Sequence, residues 1–175
     1  MIRIFLTGYM GAGKTTLGKA LARELNVSLI DLDWYIEERT HQSVSELFTE
    51  QGEASFRRLE QAMLHEVAQF EDVIISTGGG TPCFFDNMAY MNAEGATVFL
   101  DVSVPVLFNR LRIAKRQRPL LSNKNDEELV GFIEQALAER KPYYRQAQYH
   151  FKADHLETRR EINQSVIMLR DLLKI

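Results

Sequence analysis

The chain has 175 residues, 45% hydrophobic and 26% charged, a balance that excludes a disordered or fibrous architecture and suits one domain around one core. No apolar run approaches the roughly 18 residues that cross a bilayer, and a net charge of −3 gives no general attraction for nucleic acid, so an anionic ligand must be captured by local arginines. The lone Cys83 cannot form an internal disulfide, and no charged start followed by a cleavable apolar stretch opens the chain, so the expected compartment is the cytoplasm.

Residues 2–7 read as a buried strand, and Gly8-Tyr9-Met10-Gly11-Ala12-Gly13-Lys14-Thr15 follows directly. This is G-x-x-x-x-G-K-[ST] in the strand-then-helix setting that gives the pattern meaning, and it predicts a bound nucleoside triphosphate. The glycines let the amides of Gly11, Ala12, Gly13 and Lys14 turn toward phosphate oxygens, while the next helix presents its positive end to the same charge. Lys14 would reach the β- and γ-phosphates, Thr15 would place its hydroxyl on Mg²⁺, and Thr16 opens a helix predicted over residues 14–26.

A second strand at residues 28–32 runs into Asp31-Leu32-Asp33, whose period of two places both carboxylates on one side, toward the phosphate loop. Asp31 is assigned to the metal's water shell and Asp33 to orienting an attacking hydroxyl and accepting its proton, the alternative being a solvated turn. Helices over residues 44–49 and 53–69 carry Phe48, Gly52, Glu53, Phe56, Arg57 and Glu60 in the string F-x-x-x-G-E-x-x-F-R-x-x-E. Arg57 and Glu60 share a helical face, which would brace a guanidinium fork for a substrate carboxylate; an exposed ion pair worth about 0.2–0.5 kcal/mol is the alternative. Trp34 and Tyr35 are either pocket or core aromatics.

The third strand, residues 73–76, leads into Thr77-Gly78-Gly79-Gly80-Thr81-Pro82, where the absence of side chains would let a substrate touch the backbone, or would simply make a flexible turn. A fourth strand at residues 97–102 contains Asp101 in a Walker-B-like position; because Asp31 and Asp33 already supply carboxylates, Asp101 is read as structural. A helix over residues 104–112 precedes a basic, irregular stretch up to residue 125, read either as a mobile cover carrying Arg118 onto the γ-phosphate or as a solvated loop. A helix pattern over residues 126–148, interrupted by Pro142, carries Arg140, a second guanidinium for a substrate carboxylate or a charge at a helix end. Residues 149–152 form a weaker strand and residues 158–174 a last helix. Strands alternating with helices predict a doubly wound α/β sheet whose ligand loops gather at the carboxyl ends of the strands. The four histidines are dispersed and Cys83 has no base beside it, which points away from a histidine metal site or a thiol nucleophile.

Assembled in order, the phosphate loop at residues 8–15, Asp31-x-Asp33, Phe56-Arg57-x-x-Glu60, Gly78-Gly79-Gly80, Arg118-Pro119-Leu120-Leu121 and Glu139-Arg140-x-Pro142-x-Tyr144 resemble the shikimate kinase family over nearly the whole chain. The resemblance implies a three-layer P-loop kinase fold of the nucleoside-monophosphate-kinase type: one domain, a five-stranded parallel sheet in the order 2-3-1-4-5, an acceptor-binding segment at residues 34–60 and a lid at residues 113–125. It further implies Mg²⁺-dependent transfer of the γ-phosphoryl of ATP to the 3-hydroxyl of shikimate in aromatic amino-acid biosynthesis. Asp33, Arg57, Gly79, Gly80 and Arg140 would hold the acceptor, and Lys14, Asp33 and Arg118 would carry catalysis. ATP and shikimate are the expected partners, without nucleic acid or membrane, and a monomer is the default for the fold. The adenine end departs from the family pattern: the arginine before the lid matches Arg110 or Arg112, with Arg110 favoured, and the base-binding loop at residues 152–158 keeps only Ala153-Asp154. Competing classes are a kinase of another hydroxy acid such as gluconate or of a nucleoside monophosphate, and a nucleotide switch without turnover. Arg57, Glu60 and the triple glycine weigh against the first; Lys14, Asp31, Asp33 and the lid arginine weigh against the second.

Overall fold

Five parallel strands lie at the centre of the molecule in the expected order β2-β3-β1-β4-β5: β1 (Arg3–Thr7), β2 (Ser28–Asp31), β3 (Val73–Ser76), β4 (Ala96–Asp101) and β5 (Tyr149–Lys152). This computed structural model describes residues 1–114 and 121–175. Arg118 and the centre of the expected lid fall outside the described residues. The three inner strands are buried on both faces, as their unbroken Ile, Val, Leu and Phe content requires, whereas edge strands β2 and β5 are only partly covered.

Helices α1 (Lys14–Leu25), α2 (Leu32–Thr40), α3 (Val44–Val67), α4 (Asn87–Glu94), α5 (Val104–Ala114), α6 (Asp126–Tyr144) and α7 (Arg159–Leu173) cover the sheet. Ser43, Asn125 and Thr158 open α3, α6 and α7 with capping boxes completed by Glu46, Glu128 and Glu161. Among the described residues no helix is long and apolar enough to cross a membrane.

Four expectations change. The second strand stops at Asp31, whose side chain accepts from the Trp34 amide and starts α2. The alternation assumed for Asp31 and Asp33 is therefore replaced by a cap followed by a first-turn residue, because an Asx cap competes successfully with strand extension. The helices expected at residues 44–49 and 53–69 are two arms of one element bent at Gly52, which sits at φ 79° and ψ 167°, outside helical space. Helix α4 is not anticipated from the sequence: its eight residues carry too short a pattern, and only tertiary burial of Met88 and Met91 identifies its inner face. Helix α6 continues through Pro142 to Tyr144 and ends there, since that ring removes a bond only from the closing turn.

Candidate active site

Among the described residues, the loops that carry predicted site residues open at the carboxyl ends of the strands, where two cavities of about 500 and 420 Å³ meet. Met10, Asp33, Gly78 and Gly79 line both.

The larger cavity is built on the turn between β1 and α1. Gly13, the N-cap of α1, has φ 90°, and a methyl group there would lie 2.5 Å from Leu156 Cδ1. No side chain caps this helix and no acid occupies its first turn, whereas Asp31, Ser43, Asn125 and Thr158 cap their helices through side-chain oxygens. The positive end of α1 thus faces the cavity without an anion of its own, a ready phosphate site. Gly11, Gly13, Lys14, Thr15 and Thr16 line this cavity, while Ala12 is buried beneath it. Lys14 Nζ donates to the carbonyls of Gly8 at 2.7 Å and Tyr9 at 2.9 Å, so the ammonium is already folded over the loop.

Thr15 Oγ1 donates to Asp31 Oδ2 at 2.7 Å and lies 3.3 Å from Ser76 Oγ. These hard oxygen donors beside a phosphate loop fit magnesium, which keeps most of its waters and takes few protein ligands. Ser76 enters this group only through the register of β3 against β2, Asp31 opposite Ser76, so no local motif signals it.

Asp33 stands at the junction of the cavities. A methyl group on Gly78 would lie 3.0 Å from Asp33 Oδ1 and 3.1 Å from Glu60 Oε2, so the first glycine of the triplet is what lets the two carboxylates draw together. Burial, with the Glu60 and Asp31 charges close by, raises Asp33 from 3.8 to about 6, against the opposing pull of Lys14. A carboxylate so placed is a stronger base than an ordinary aspartate and is still largely ionised at neutral pH.

In the second cavity two guanidinium groups approach the glycine triplet. Arg57 Nη1 donates to Glu60 Oε1 at 2.9 Å, and Glu60, 1% exposed, also accepts from Thr81 Oγ1 at 2.7 Å. The Arg57–Glu60 pair is therefore buried, which removes the exposed-pair alternative. Gly80 packs directly against Arg57: an added methyl would lie 2.5 Å from Nη2. Arg140 lies over the Tyr9 ring at 5.7 Å, and a methyl on Gly79 would come within 3.2 Å of its Nη1. Tyr144, one turn beyond Arg140 on α6, donates to the Gly79 carbonyl at 2.6 Å and fixes that stretch of backbone. Phe48, Phe56 and Leu121 give the cavity an apolar wall. The motifs do not include Glu37, which lines this cavity and holds the Val44 amide at 2.9 Å; its position at i+4 from Asp33 is the one sequence signal for it.

At the far end of the first cavity Arg110, not Arg112, lies over the phosphate loop. Arg110 donates to the carbonyls of Gly11 at 3.1 Å and Ala153 at 2.9 Å and pairs with Glu157 at 2.7 Å, whereas Arg112 is exposed beside Phe108. The Asp154 carboxylate accepts from the Ser103 amide and hydroxyl at 2.8 and 2.9 Å, and it is the Asp154 carbonyl that meets Arg110. Leu156 and Glu157 line this end of the cavity, two residues that no sequence motif singles out. Asp101 is engaged by Lys152 and Lys141 at the β5 edge, and Trp34, 61% exposed, borders an outer groove with Lys19. Burial pushes the Cys83 thiol up to about 11, which leaves it unreactive at neutral pH.

The chain is similar to known proteins over nearly its whole length. The sequence profile of shikimate kinase matches residues 10–170. The shikimate kinase of Bacteroides fragilis is 69% identical over 175 residues, covering 100% of this chain and 98% of its own. The crystal structure of shikimate kinase from Bacteroides thetaiotaomicron superimposes with a TM-score of 0.98 at 67% identity, covering 99% of each chain. The solved structure of shikimate kinase from Acinetobacter baumannii in complex with shikimate gives a TM-score of 0.85 at 30% identity over 99% of this chain and 94% of that one. Because the family profile matches residues 10–170 and a relative is 69% identical over the whole of this chain, the chain belongs to the shikimate kinase family.

Proposed function

We propose that the chain transfers the γ-phosphoryl group of ATP to the 3-hydroxyl of shikimate, giving shikimate 3-phosphate and ADP for aromatic amino-acid biosynthesis. One observation carries this reading: a cavity on a P-loop and a cavity armed with Arg57 and Arg140 share Asp33 at their junction. The acceptor carboxylate is held by the two guanidinium groups and its ring lies against Gly79 and Gly80, so one hydroxyl meets Asp33. Asp33 orients that hydroxyl and accepts its proton as the oxygen attacks the γ-phosphorus in line.

The amides of Gly11, Ala12, Gly13 and Lys14, with the side chains of Lys14 and Thr16, bind the triphosphate, and Lys14 stabilises charge on the transferring group. Arg110 covers the adenine end, held in place partly by the Asp154 carbonyl. Arg118, in the lid, contributes to the γ-phosphate. Thr15 and Asp31 would hold Mg²⁺, which would neutralise phosphoryl charge when bound. The working form is a single-domain cytoplasmic monomer.

A coupled assay of ADP release tests the reading with shikimate, gluconate and nucleoside monophosphates as acceptors. ATP turnover that depends on shikimate supports it; turnover with another acceptor, or with none, overturns it.

A further inference from the structure

We infer that Phe84 is a positioning residue for Arg57, holding its guanidinium so that one edge stays free for the substrate carboxylate. The inference rests on the reading above, in which Arg57 grips that carboxylate. The Arg57 Cζ lies 4.1 Å from the centroid of the Phe84 ring, against 5.5 and 5.4 Å for Phe48 and Phe56. Phe48 and Phe56 line the acceptor cavity; Phe84 does not, and so acts on the ligand only through Arg57.

Polar contacts alone leave the guanidinium under-determined. Nη1 is fixed by Glu60 at 2.9 Å, but Nε lies 3.5 Å from the exposed Glu53 carboxylate and has no hydrogen bond. An aromatic face supplies the missing restraint. Its negative quadrupole attracts the cation without consuming any of its N–H donors, so the group is steadied while its hydrogen-bonding capacity is kept for the ligand.

The turn that carries Phe84 is built for this placement. Asn87, fully buried, donates through Nδ2 to the Thr81 carbonyl at 2.9 Å and through its amide to the Phe84 carbonyl at 3.2 Å. The next residue, Phe85, is 58% exposed at φ 51°, a left-handed conformation rare for a bulky side chain. Such strain persists where the surroundings over-determine the backbone. The same turn sends Thr81 Oγ1 to Glu60, so both members of the Arg57–Glu60 pair are held by one short segment.

Steady-state kinetics on wild type, Phe84→Leu and Phe84→Tyr test the inference, with shikimate and ATP varied separately. Phe84→Leu should raise the shikimate KM about 3- to 30-fold while the ATP KM stays within about twofold, and Phe84→Tyr should keep both near wild type. An unmoved shikimate KM in Phe84→Leu, a parallel rise in both constants, or a Phe84→Tyr as impaired as Phe84→Leu overturns it. If Phe84→Leu does not fold, Phe84→Met carries the same expectation. A wild type that phosphorylates no shikimate overturns the functional reading; an active wild type with an unmoved Phe84→Leu overturns only the role of Phe84.

Discussion

Arg57 and Glu60, one turn apart on α3, form a buried ion pair with 2.9 Å between Nη1 and Oε1, and Thr81 closes the remaining side of the carboxylate. Breaking such a pair strands a charge, whereas replacing both partners need not destabilise the fold. Arg57→Ala should lower stability by about 3–5 kcal/mol and raise the shikimate KM roughly 10- to 100-fold, with ATP binding nearly unchanged. The double variant Arg57→Met/Glu60→Leu should recover most of the stability and none of the shikimate affinity. Chemical denaturation and titration with each substrate separate the two effects; equal loss of ATP and shikimate affinity in Arg57→Ala would remove the clamp assignment.

Asp33 predicts two pH dependences. If its ionised form is the base, kcat/KM should fall as pH drops through about 6, the value to which burial and its carboxylate neighbours raise it. The stability effect has the opposite sign: a folded pKa above the ordinary 3.8 means that the native state binds more protons, so stability declines as pH rises from 3.8 to about 6. Asp33→Asn should therefore cut turnover yet be more stable than wild type above pH 6 by on the order of 1–3 kcal/mol, a difference that closes below pH 4. Parallel denaturation curves at pH 4 and 7 check the sign, and wild-type turnover in Asp33→Asn would exclude the residue from the reaction.

Gly80→Ala tests the close packing beneath the second cavity. Gly80 has ordinary helical angles, φ −88° and ψ −17°, so the substitution carries no backbone strain, but its methyl would stand 2.5 Å from Arg57 Nη2 and 2.8 Å from Cζ. The guanidinium, pinned by Glu60, must tilt. The shikimate KM should rise about 10-fold or more, and overpacking of the buried pair should lower stability by about 1–3 kcal/mol.

Gly131 offers the opposite case. It lies exposed within α6, and a methyl group added there would meet nothing within 4 Å, so Gly131→Ala should stabilise the protein by about 0.5–1 kcal/mol through helix propensity, with kinetics unchanged. A loss of stability would show that α6 is strained at this point.

The phosphate site was legible in the sequence because its chemistry is local: eight consecutive residues carry the glycines, the lysine and the threonine, and strand and helix patterns flank them. Arg57 with Glu60, and the glycine triplet, were legible for the same reason, since a helical repeat or an unbroken run shows in a short window. The Asp31/Asp33 pair was found, but its geometry was not: a strand end and a helix cap use the same residues, and only the completed bond from the Trp34 amide to Asp31 distinguishes them. Burial of the Arg57–Glu60 pair, the choice of Arg110 over Arg112 and the contact of Phe84 with Arg57 depend on segments 21 to 47 residues apart or more, whose meeting no local pattern encodes.

By itself the chain's order of residues determined the alternation of strand and helix, the identity of the phosphate loop and the set of charged groups available to a ligand, because these follow from periodicity and from backbone freedom within a few residues. Tertiary structure alone decided which of those groups face one another. Parallel strands bring distant loops to one edge of the sheet, and there exclusion of water strengthens the Arg57–Glu60 pair and raises the proton affinity of Asp33 above that of the same side chain in solvent.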